Sequence, residues 1–202
     1  MPARKQGTKS TVRSDDALRA AVLAAALAHA PFDGFTDKVL ARAGKEAGAD
    51  AKALAKIFPN GAMSLVEAFS ESADHEMEKN LARAKLSTMK IRERIKAAVT
   101  ARLAILRPHK EAARRAAAFL TLPPHAGLGL KLLYRTMDAM WRAAGDTSTD
   151  FNFYTKRVIL AGVYSSTLMR WFTDESEDEH QTLEFLDRRI EDVMRFEKFK
   201  AQ

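Results

Sequence analysis

Apolar residues recur along most of the chain at the spacing of an amphipathic α-helix, and no alternating strand pattern is present. Prolines, glycines and capping residues separate the apolar segments, and together they predict about nine helices. Thr36 and Asp37 are expected to open the second helix, Asp50 to cap the third, and Ser87 and Thr88 to cap the fifth. The approximate limits of these helices are 16–30, 37–48, 50–58, 62–85, 88–106, 108–122, 126–144, 150–172 and 178–199. Pro31 and Gly34 are expected to end the first helix, and the predicted fold class is all-α.

Short helices with a glycine-containing bend come first, and longer helices follow them. This order predicts a helix-turn-helix head followed by a larger helical body. The predicted parts are a disordered basic tail over residues 1–14, a head over 15–60 and a body over 61–200. The tail is expected to be disordered because it contains four basic residues and no acidic one.

Composition and charge narrow the classes of function. The chain has 202 residues and no cysteine, so it can bury a core, while disulfides and thiolate zinc sites are excluded. It has no apolar run of about 18 residues, the length that a membrane-spanning helix needs. The net charge of +7 suggests nucleic acid or an anionic membrane as a partner, although residues 173–180 are strongly acidic.

The sequence contains no recognisable catalytic or metal-binding motif. Nucleotide-binding loops, nucleophile motifs and zinc motifs are all missing, so we do not predict an enzyme. Glu71, His75 and Glu78 share a helix face with Glu67. A di-iron bundle needs Glu-x-x-His elements, whereas the spacing here is Glu-x-x-x-His. We therefore predict a solvated charged face and no metal site.

The segment GDTSTDFNFYTKR, residues 145–157, places capping residues directly before aromatic residues and cations. Ser148, Thr149 and Asp150 are suitable N-cap types for the helix that follows. Along that helix a broad apolar face carries Phe153, Tyr164, Leu168 and Trp171, and Arg157 lies inside it. Two interpretations of Arg157 remain open: its stem covers apolar surface, or its charge marks the rim of a binding surface.

The last predicted helix has two apolar stripes. The aliphatic stripe, which we expect to meet the core, comprises Leu183, Leu186, Ile190, Val193 and Met194. Phe185, Phe196 and Phe199 lie almost opposite. One helix cannot turn both stripes into a single core, so we expect a second copy, a lipid surface or another protein to cover the aromatic stripe. Packing by a flanking helix is the alternative.

The head resembles the DNA-binding module of the TetR family, whose members usually bind DNA as dimers and hold a ligand in the body. The resemblance lies in FTDKVLARAGKEAGADAKALAKIFPNGAMSLVEAF, residues 35–69. Ala55 stands where the family has Tyr, and Gly61 stands where it has a Lys that reaches phosphate. The predicted reading helix exposes Asp50, Lys52 and Lys56 but has no Arg, Asn or Gln to pair with base edges. We therefore do not predict sequence-specific DNA binding.

The second half of the chain resembles the ubiquinone-biosynthesis family known as "Coq nine". The resemblance lies in DAMWRAAGDTSTDFNFYTKRVILAGVYSSTLMRW, residues 138–171, and TLEFLDRRIEDVM, residues 182–194. It implies a non-catalytic, TetR-fold homodimer that binds isoprenoid lipids and assists the di-iron hydroxylase acting on demethoxyubiquinone. No cofactor is implied beyond a bound isoprenoid or phospholipid. A cytoplasmic protein, peripheral to the inner membrane of a bacterium, fits this resemblance.

The resemblance also implies site residues. A hydroxylase-docking patch would comprise Asp138, Met140, Asp150, Phe153, Tyr154 and Arg157. A lipid or dimer surface would comprise Trp141, Tyr164, Leu168, Trp171, Phe185, Phe196 and Phe199. The first alternative function is a ligand-responsive transcriptional regulator of the TetR type, and a purely structural dimerisation module is the second.

Overall fold

The computed structural model describes residues 7–147 and 151–200, and the side chains of residues 15–147 and 153–196. Within these ranges nine α-helices follow one another: α1 Gly7–Asp33, α2 Asp37–Glu46, α3 Ala51–Ile57, α4 Ala62–Arg83, α5 Ile91–Leu106, α6 Lys110–Thr121, α7 Ala126–Ala143, α8 Phe151–Phe172 and α9 His180–Lys200. Short 3-10 turns lie at Leu86–Thr88, Arg107–His109, Pro123–His125 and Glu177–Glu179. The all-α prediction is confirmed.

The first helix is longer than predicted at both ends. It begins at Gly7 rather than near residue 16, so residues 7–14 of the expected disordered tail are helical. It also continues through Pro31 to Asp33, although the proline was expected to end it. A proline removes one backbone hydrogen bond within a helix, and in the last turn that loss affects little of the helix.

The starts of α2 and α3 agree with their predicted capping residues. Thr36 Oγ1 accepts a hydrogen bond from the backbone N–H of Val39 at 3.2 Å, and Asp50 Oδ1 accepts one from Ala53 at 2.7 Å. Each side chain satisfies an N–H group that has no partner within the helix. Between the two helices Gly48 has a φ of +74°, a backbone conformation that glycine adopts without strain.

The start of α5 differs from the prediction. Ser87 and Thr88 were expected to cap this helix, but they belong to the 3-10 turn Leu86–Thr88 and α5 begins at Ile91. The carboxylate of Glu93 accepts a hydrogen bond from the backbone N–H of Lys90 at 3.0 Å, which closes the first turn. A glutamate at the third helical position was therefore a better signal than the serine and threonine before it.

The chain divides into two compact units. The head unit comprises residues 1–71 and 111–128, and the body unit comprises residues 72–110 and 129–202. In the head unit α1 packs against α2 and α3, and Phe35 stacks on Phe69 with ring centroids 5.9 Å apart. The buried residues of the head unit include Val22, Ala26, Val39, Leu40, Phe58 and Leu65.

The body unit is built on contacts of α9 with α8 and α5. Its buried side chains include Met77, Val99, Leu103, Leu132, Met137, Leu160, Trp171 and Leu186. Apolar burial of this kind supplies most of the free energy that holds such helices together. The same helices, with α7, supply the walls of the candidate site.

Candidate functional site

An apolar groove opens in the body unit between α5, α7, α8 and α9. Its lining residues are Ile91, Arg92, Ile95, Trp141, Ile159, Leu160, Val163, Ile190, Val193 and Met194. The groove has a volume of about 90 Å³, whereas pockets for small molecules usually measure about 300–1,000 Å³. Arg92 carries the only charge among these lining residues, so the groove suits a segment of an apolar chain.

A more polar cavity of about 260 Å³ adjoins the apolar groove. It shares Arg92, Ile190 and Met194 with the groove, and Glu191 and Arg195 complete its lining. Arg195 Nη2 lies 3.4 Å from Glu191 Oε2 across one turn of α9. We call this cavity the charged mouth of the groove. Together the two cavities suit a molecule with an apolar chain and a polar end.

The faces of α9 differ in part from the prediction. Leu186 is fully buried, as expected of the aliphatic stripe, but Ile190, Val193 and Met194 line the groove instead of closing the core. On the aromatic stripe Phe185 is half-buried under the guanidinium of Arg189, 5.3 Å from its ring centroid. Phe196 is 58% exposed. The side chain of Phe199 lies outside the described residues.

Trp141 connects the groove to the beginning of α8. Its indole N–H donates to the backbone carbonyl of Lys156 at 3.1 Å, and the Lys156 ammonium lies 5.5 Å from its ring centroid. The same ammonium is 2.9 Å from Asp146 Oδ1. The orientation of Trp141 in the groove wall is therefore fixed by polar contacts to α8.

Arg157 is the centre of a buried ion cluster beside Trp141. The Arg157 side chain is 3% exposed, and its Nε and Nη2 donate to Asp138 Oδ1 at 2.9 and 2.7 Å. Its Nη1 donates to Asp146 Oδ2 at 3.2 Å and to the Phe153 carbonyl at 2.9 Å. The guanidinium also lies 3.4 Å from the Phe153 ring centroid. These contacts tie α7 and the segment after it to the first turns of α8.

The docking patch implied by the resemblance needs correction. Met140 is fully buried and Arg157 nearly so, because one packs in the core and the other binds two carboxylates. Neither side chain can contact a partner in this conformation. Arg157 is a buried ion-pair centre, so it neither covers apolar surface with its stem alone nor places its charge at the rim of a binding surface. Tyr154 is 61% exposed, whereas Asp138 and Phe153 are half-buried. Asp150, with the predicted caps Ser148 and Thr149, lies outside the described residues.

The implied lipid or dimer surface is also partly wrong. Tyr164 and Trp171 are buried in the core of the body unit, so they cannot form a surface. Trp141 and Leu168 are half-buried, and of these two Trp141 lines the groove. The helical pattern placed Tyr164, Leu168 and Trp171 on one broad face of α8, and periodicity does not separate a core face from a groove.

A second buried polar network surrounds Arg102. Its Nε lies 2.7 Å from Asp74 Oδ1 and its Nη1 donates to the Tyr164 hydroxyl at 2.6 Å, while Thr136 donates to Asp74 at 2.9 Å. Burial raises the pKa of the Tyr164 phenol. Burial alone would lower the pKa of Arg102, but Tyr164 and Asp74 outweigh it and raise that pKa. Arg102 stays charged and Tyr164 stays neutral near neutral pH. Sequence reasoning missed this network.

None of the residues considered for a metal site is among the groove-lining residues. Glu71 pairs with Arg19 at 3.3 Å, and His75 and Glu78 are exposed. Among the described residues no group of three potential ligands is placed to hold a metal ion. No helix in the described part of the chain is long and apolar enough to cross a membrane.

The helix order and the groove-bearing body define an all-α protein of the TetR-like class. A crystal structure of a TetR transcriptional regulator from Nitrosomonas europaea superposes with a TM-score of 0.70, covering 87% of this chain and 97% of that one. The two sequences are 20% identical, so the similarity establishes the fold alone. The predicted TetR-like fold is confirmed.

Sequence comparison then shows similarity to the COQ9 family. The COQ9 family model matches residues 126–197, which include α7 and α8. The rat protein named "Ubiquinone biosynthesis protein COQ9, mitochondrial" is 33% identical over 187 residues, and the human protein of that name is 32% identical over 188. Each alignment covers 90% of this chain, which spans about three fifths of those relatives. The resemblance to this family stated from the sequence is confirmed.

Proposed function

We propose that this chain is a lipid-binding accessory protein of ubiquinone biosynthesis. It holds a polyprenyl quinone intermediate and presents the ring to the demethoxyquinone hydroxylase, without catalysing a reaction itself. The observation that carries this proposal is the apolar groove, because most of its lining residues lie within the segment that matches the COQ9 family model. The names of the relatives supply the pathway.

The size of the groove supports presentation rather than enclosure. A polyprenyl tail is insoluble in water, and each Å² of apolar surface that it buries contributes about 25 cal/mol. A groove of about 90 Å³ holds one segment of such a tail and leaves the rest outside. The ring of the quinone then stays near the charged mouth, where a second protein can reach it.

The groove offers binding without reactive chemistry. Apart from Arg92 its lining side chains are aliphatic, thioether or indole. The lining therefore includes no acid, base or nucleophile for the hydroxylation, and the proposal assigns that step to the hydroxylase. Its own ligand would be an isoprenoid or a phospholipid.

The exposed part of the α7–α8 region supports a docking role. Tyr154 projects into solvent beside the ion cluster, and Phe153 and Asp138 are partly accessible next to it. Tyrosine is frequent among the residues that dominate binding at interfaces. We propose that these three residues contact the hydroxylase and that buried Arg157 holds them in position.

We also propose a homodimer. Val158 and Met169 of α8 and Phe196 of α9 are exposed apolar residues that a second copy of the chain can cover. The mass of the protein in solution, measured by analytical ultracentrifugation, tests this directly: a monomer over the whole concentration range would contradict it.

Lipid binding is tested by native mass spectrometry of the purified protein. Val193→Asp puts a carboxylate into the groove wall, and Leu130→Asp, a matched control, puts one on an exposed part of α7. We expect isoprenoid or phospholipid on the wild-type protein and on the control, and a loss of roughly tenfold or more with Val193→Asp, since burying a charge costs several kcal/mol. A wild-type protein without lipid, or a Val193→Asp variant that keeps it, would refute the proposal.

Docking is tested by the affinity of the hydroxylase for two tyrosine variants. Tyr154→Ala should weaken binding by roughly thirtyfold, the effect of a typical hot-spot residue. Tyr134→Ala, which removes another exposed tyrosine from the body unit, should leave the affinity unchanged. Equal affinities of the two variants would remove Tyr154 from the interface.

Charge in the head opposes the transcriptional regulator alternative. The described side chains of the head unit include nine acidic and eight basic residues, a net charge of −1. Lys56 of the expected reading helix is paired with Asp15 rather than free for phosphate. Binding to DNA depends on an excess of positive charge, and the described side chains of the head unit carry no such excess in sum.

A further inference from the structure

Positive charge is concentrated in one part of the body unit. Residues 79–110 include ten Lys and Arg residues and a single acidic residue, Glu93. Several of these cations are engaged, among them Lys96 with Asp187 and Arg107 with Glu179. Within the described part of the chain no carboxylate lies within 4 Å of Lys85, Lys90 or Arg92. A patch of exposed, unneutralised charge therefore surrounds the turn before α5.

The same turn exposes apolar side chains. Met89 and Ile91 are 39% and 44% exposed, and they alternate with Lys90 and Arg92 along the chain. We call residues 85–92 the cationic lip. Ile91 and Arg92 line the apolar groove, so the lip forms one edge of the groove opening.

The C-terminal part of α9 adds to this opening. Met194 and Arg195 line the charged mouth, and the side chains of Met194, Arg195 and Phe196 are exposed. Exposed apolar residues accompanied by arginine therefore occur on both elements that border the mouth, α5 and α9.

A single arginine holds the lip in place. Arg94 donates to the backbone carbonyls of Ser87, Met89 and Ala144 at 3.0, 2.9 and 2.9 Å. Gly145, with a φ of +87°, allows the close approach, because a Cβ there would lie 3.2 Å from Arg94 Nη1. The backbone of the lip is thus fixed against the end of α7. Its exposed apolar side chains, Met89 and Ile91, are therefore presented without a further loss of backbone conformational entropy on binding.

We infer that the cationic lip docks on the surface of an anionic lipid bilayer, with the groove opening at the headgroup layer. This inference deepens the proposed function and rests on it, since it supplies a route for lipid into the groove. Lys85, Lys90 and Arg92 attract anionic headgroups, and Met89 and Ile91 enter the interface between headgroups and acyl chains. A nucleic acid would use the cations but would leave the apolar tips exposed to water, so the bilayer is the better match.

The charge contribution is tested by flotation with two kinds of vesicle, phosphatidylcholine alone and an equal mixture with phosphatidylglycerol. Each cation near an anionic surface strengthens binding about fivefold, so the double variant Lys85→Gln plus Lys90→Gln should bind the mixed vesicles about 25-fold more weakly. Lys38→Gln plus Lys45→Gln, on α2 of the head unit, makes the same change in net charge and should bind like the wild type. Neither lysine of the lip lines the groove.

The apolar contribution is tested by Met89→Ser. This change should weaken binding to the mixed vesicles by about threefold, because it removes an apolar tip from the interface. Leu130→Ser, which changes an exposed apolar residue of α7 outside the lip, is the control and should have no effect.

The inference would be overturned by equal binding of the wild-type protein to both kinds of vesicle, or by wild-type affinity in the double lysine variant. It would also be overturned if that variant lost affinity for a DNA duplex but kept its affinity for vesicles. A groove that carries lipid in a protein that does not bind vesicles would refute this inference alone. Vesicle binding by a protein whose groove never holds lipid would refute the proposed function alone.

Discussion

The head unit and the body unit place their charged residues differently. In the head unit the ion pairs Lys56–Asp15 and Arg42–Glu46 lie at the surface. The body unit buries two arginines, Arg102 and Arg157, each with carboxylate partners. A buried charge costs free energy unless it is fully partnered, and an apolar replacement is often as stable. The buried ion pairs of the body unit therefore need exact placement of both partners, whereas the two surface pairs of the head unit do not.

The Arg157 cluster holds together α7, the segment that follows it and the start of α8. Arg157 joins Asp138 of α7 to Asp146 of the connecting segment, and Lys156 joins the same segment to Trp141 in the groove wall. The cluster thus fixes both a wall of the groove and the exposed Tyr154 surface. Changing the cluster should disturb groove and surface together.

The largest effect is expected from Arg157→Ala. Removal of the guanidinium leaves Asp138 and Asp146 without their central partner in a largely buried site, which should lower the free energy of unfolding by about 3–5 kcal/mol. Urea denaturation measures this loss. The control is Arg142→Ala, which removes an exposed partner of Asp138 and should cost less than about 1 kcal/mol. Similar losses of unfolding free energy in Arg157→Ala and Arg142→Ala would contradict the claim that the buried arginine contributes more than the exposed one.

A smaller and pH-dependent effect is expected from Asp174→Asn. Asp174 accepts hydrogen bonds from the backbone N–H of Ser176 and Thr182 at 2.9 and 2.7 Å, and from both hydroxyls, which holds the start of α9. Burial alone would raise the pKa of Asp174, but these hydrogen bonds lower it well below its usual range. The variant should lose about 1.5–3 kcal/mol at neutral pH.

The sign of the pH dependence follows from the lowered pKa of Asp174. The charged form is favoured in the folded state, so its contribution is complete above the usual aspartate pKa of about 4 and is lost as the pH falls through the folded value. The stability gap between the wild type and Asp174→Asn should therefore narrow in acid. Urea midpoints of both proteins, measured from neutral pH into acid, check this. A stability difference that stayed constant over these pH values would refute the role of the Asp174 carboxylate.

The smallest effects are expected from exposed pairs in either unit. Lys56→Gln in the head unit and Lys96→Gln in the body unit each break an exposed ion pair, and each should cost about 0.2–1 kcal/mol. Thermal unfolding of both variants checks this. A loss above about 2 kcal/mol in only one of them would show that the difference between the units does not depend on burial.

Much of the fold could be predicted because helical periodicity and capping are local properties. Asp50 and Thr36 mark helix starts through hydrogen bonds to residues three positions later, so neighbouring residues contain the whole signal. The same rule failed at Ser87 and Thr88, where Arg94 anchors a 3-10 turn through contacts that include the distant Ala144 carbonyl. At its C-terminal end α1 is longer than predicted because Pro31 lies in the last turn, where a proline does not stop the helix.

The site was less predictable because burial depends on residues far apart in the sequence. The aromatic and cationic pattern after residue 150 indicated α8 correctly, but it did not show that Asp138 and Asp146 would enclose Arg157. Val193 and Leu186 have the same apolar character on α9, yet one lines the groove and the other is in the core. Thr136, a polar residue on a buried face of α7, was the available signal for the Arg102 network.

A crystal structure of the protein purified with its cellular lipid tests most directly whether the body unit binds a prenyl chain. We predict continuous electron density for an apolar chain between Ile95, Ile159 and Val193, with its polar end near Arg92 and Arg195. Side chains that close the groove, or lipid density only at another site, would contradict the proposal.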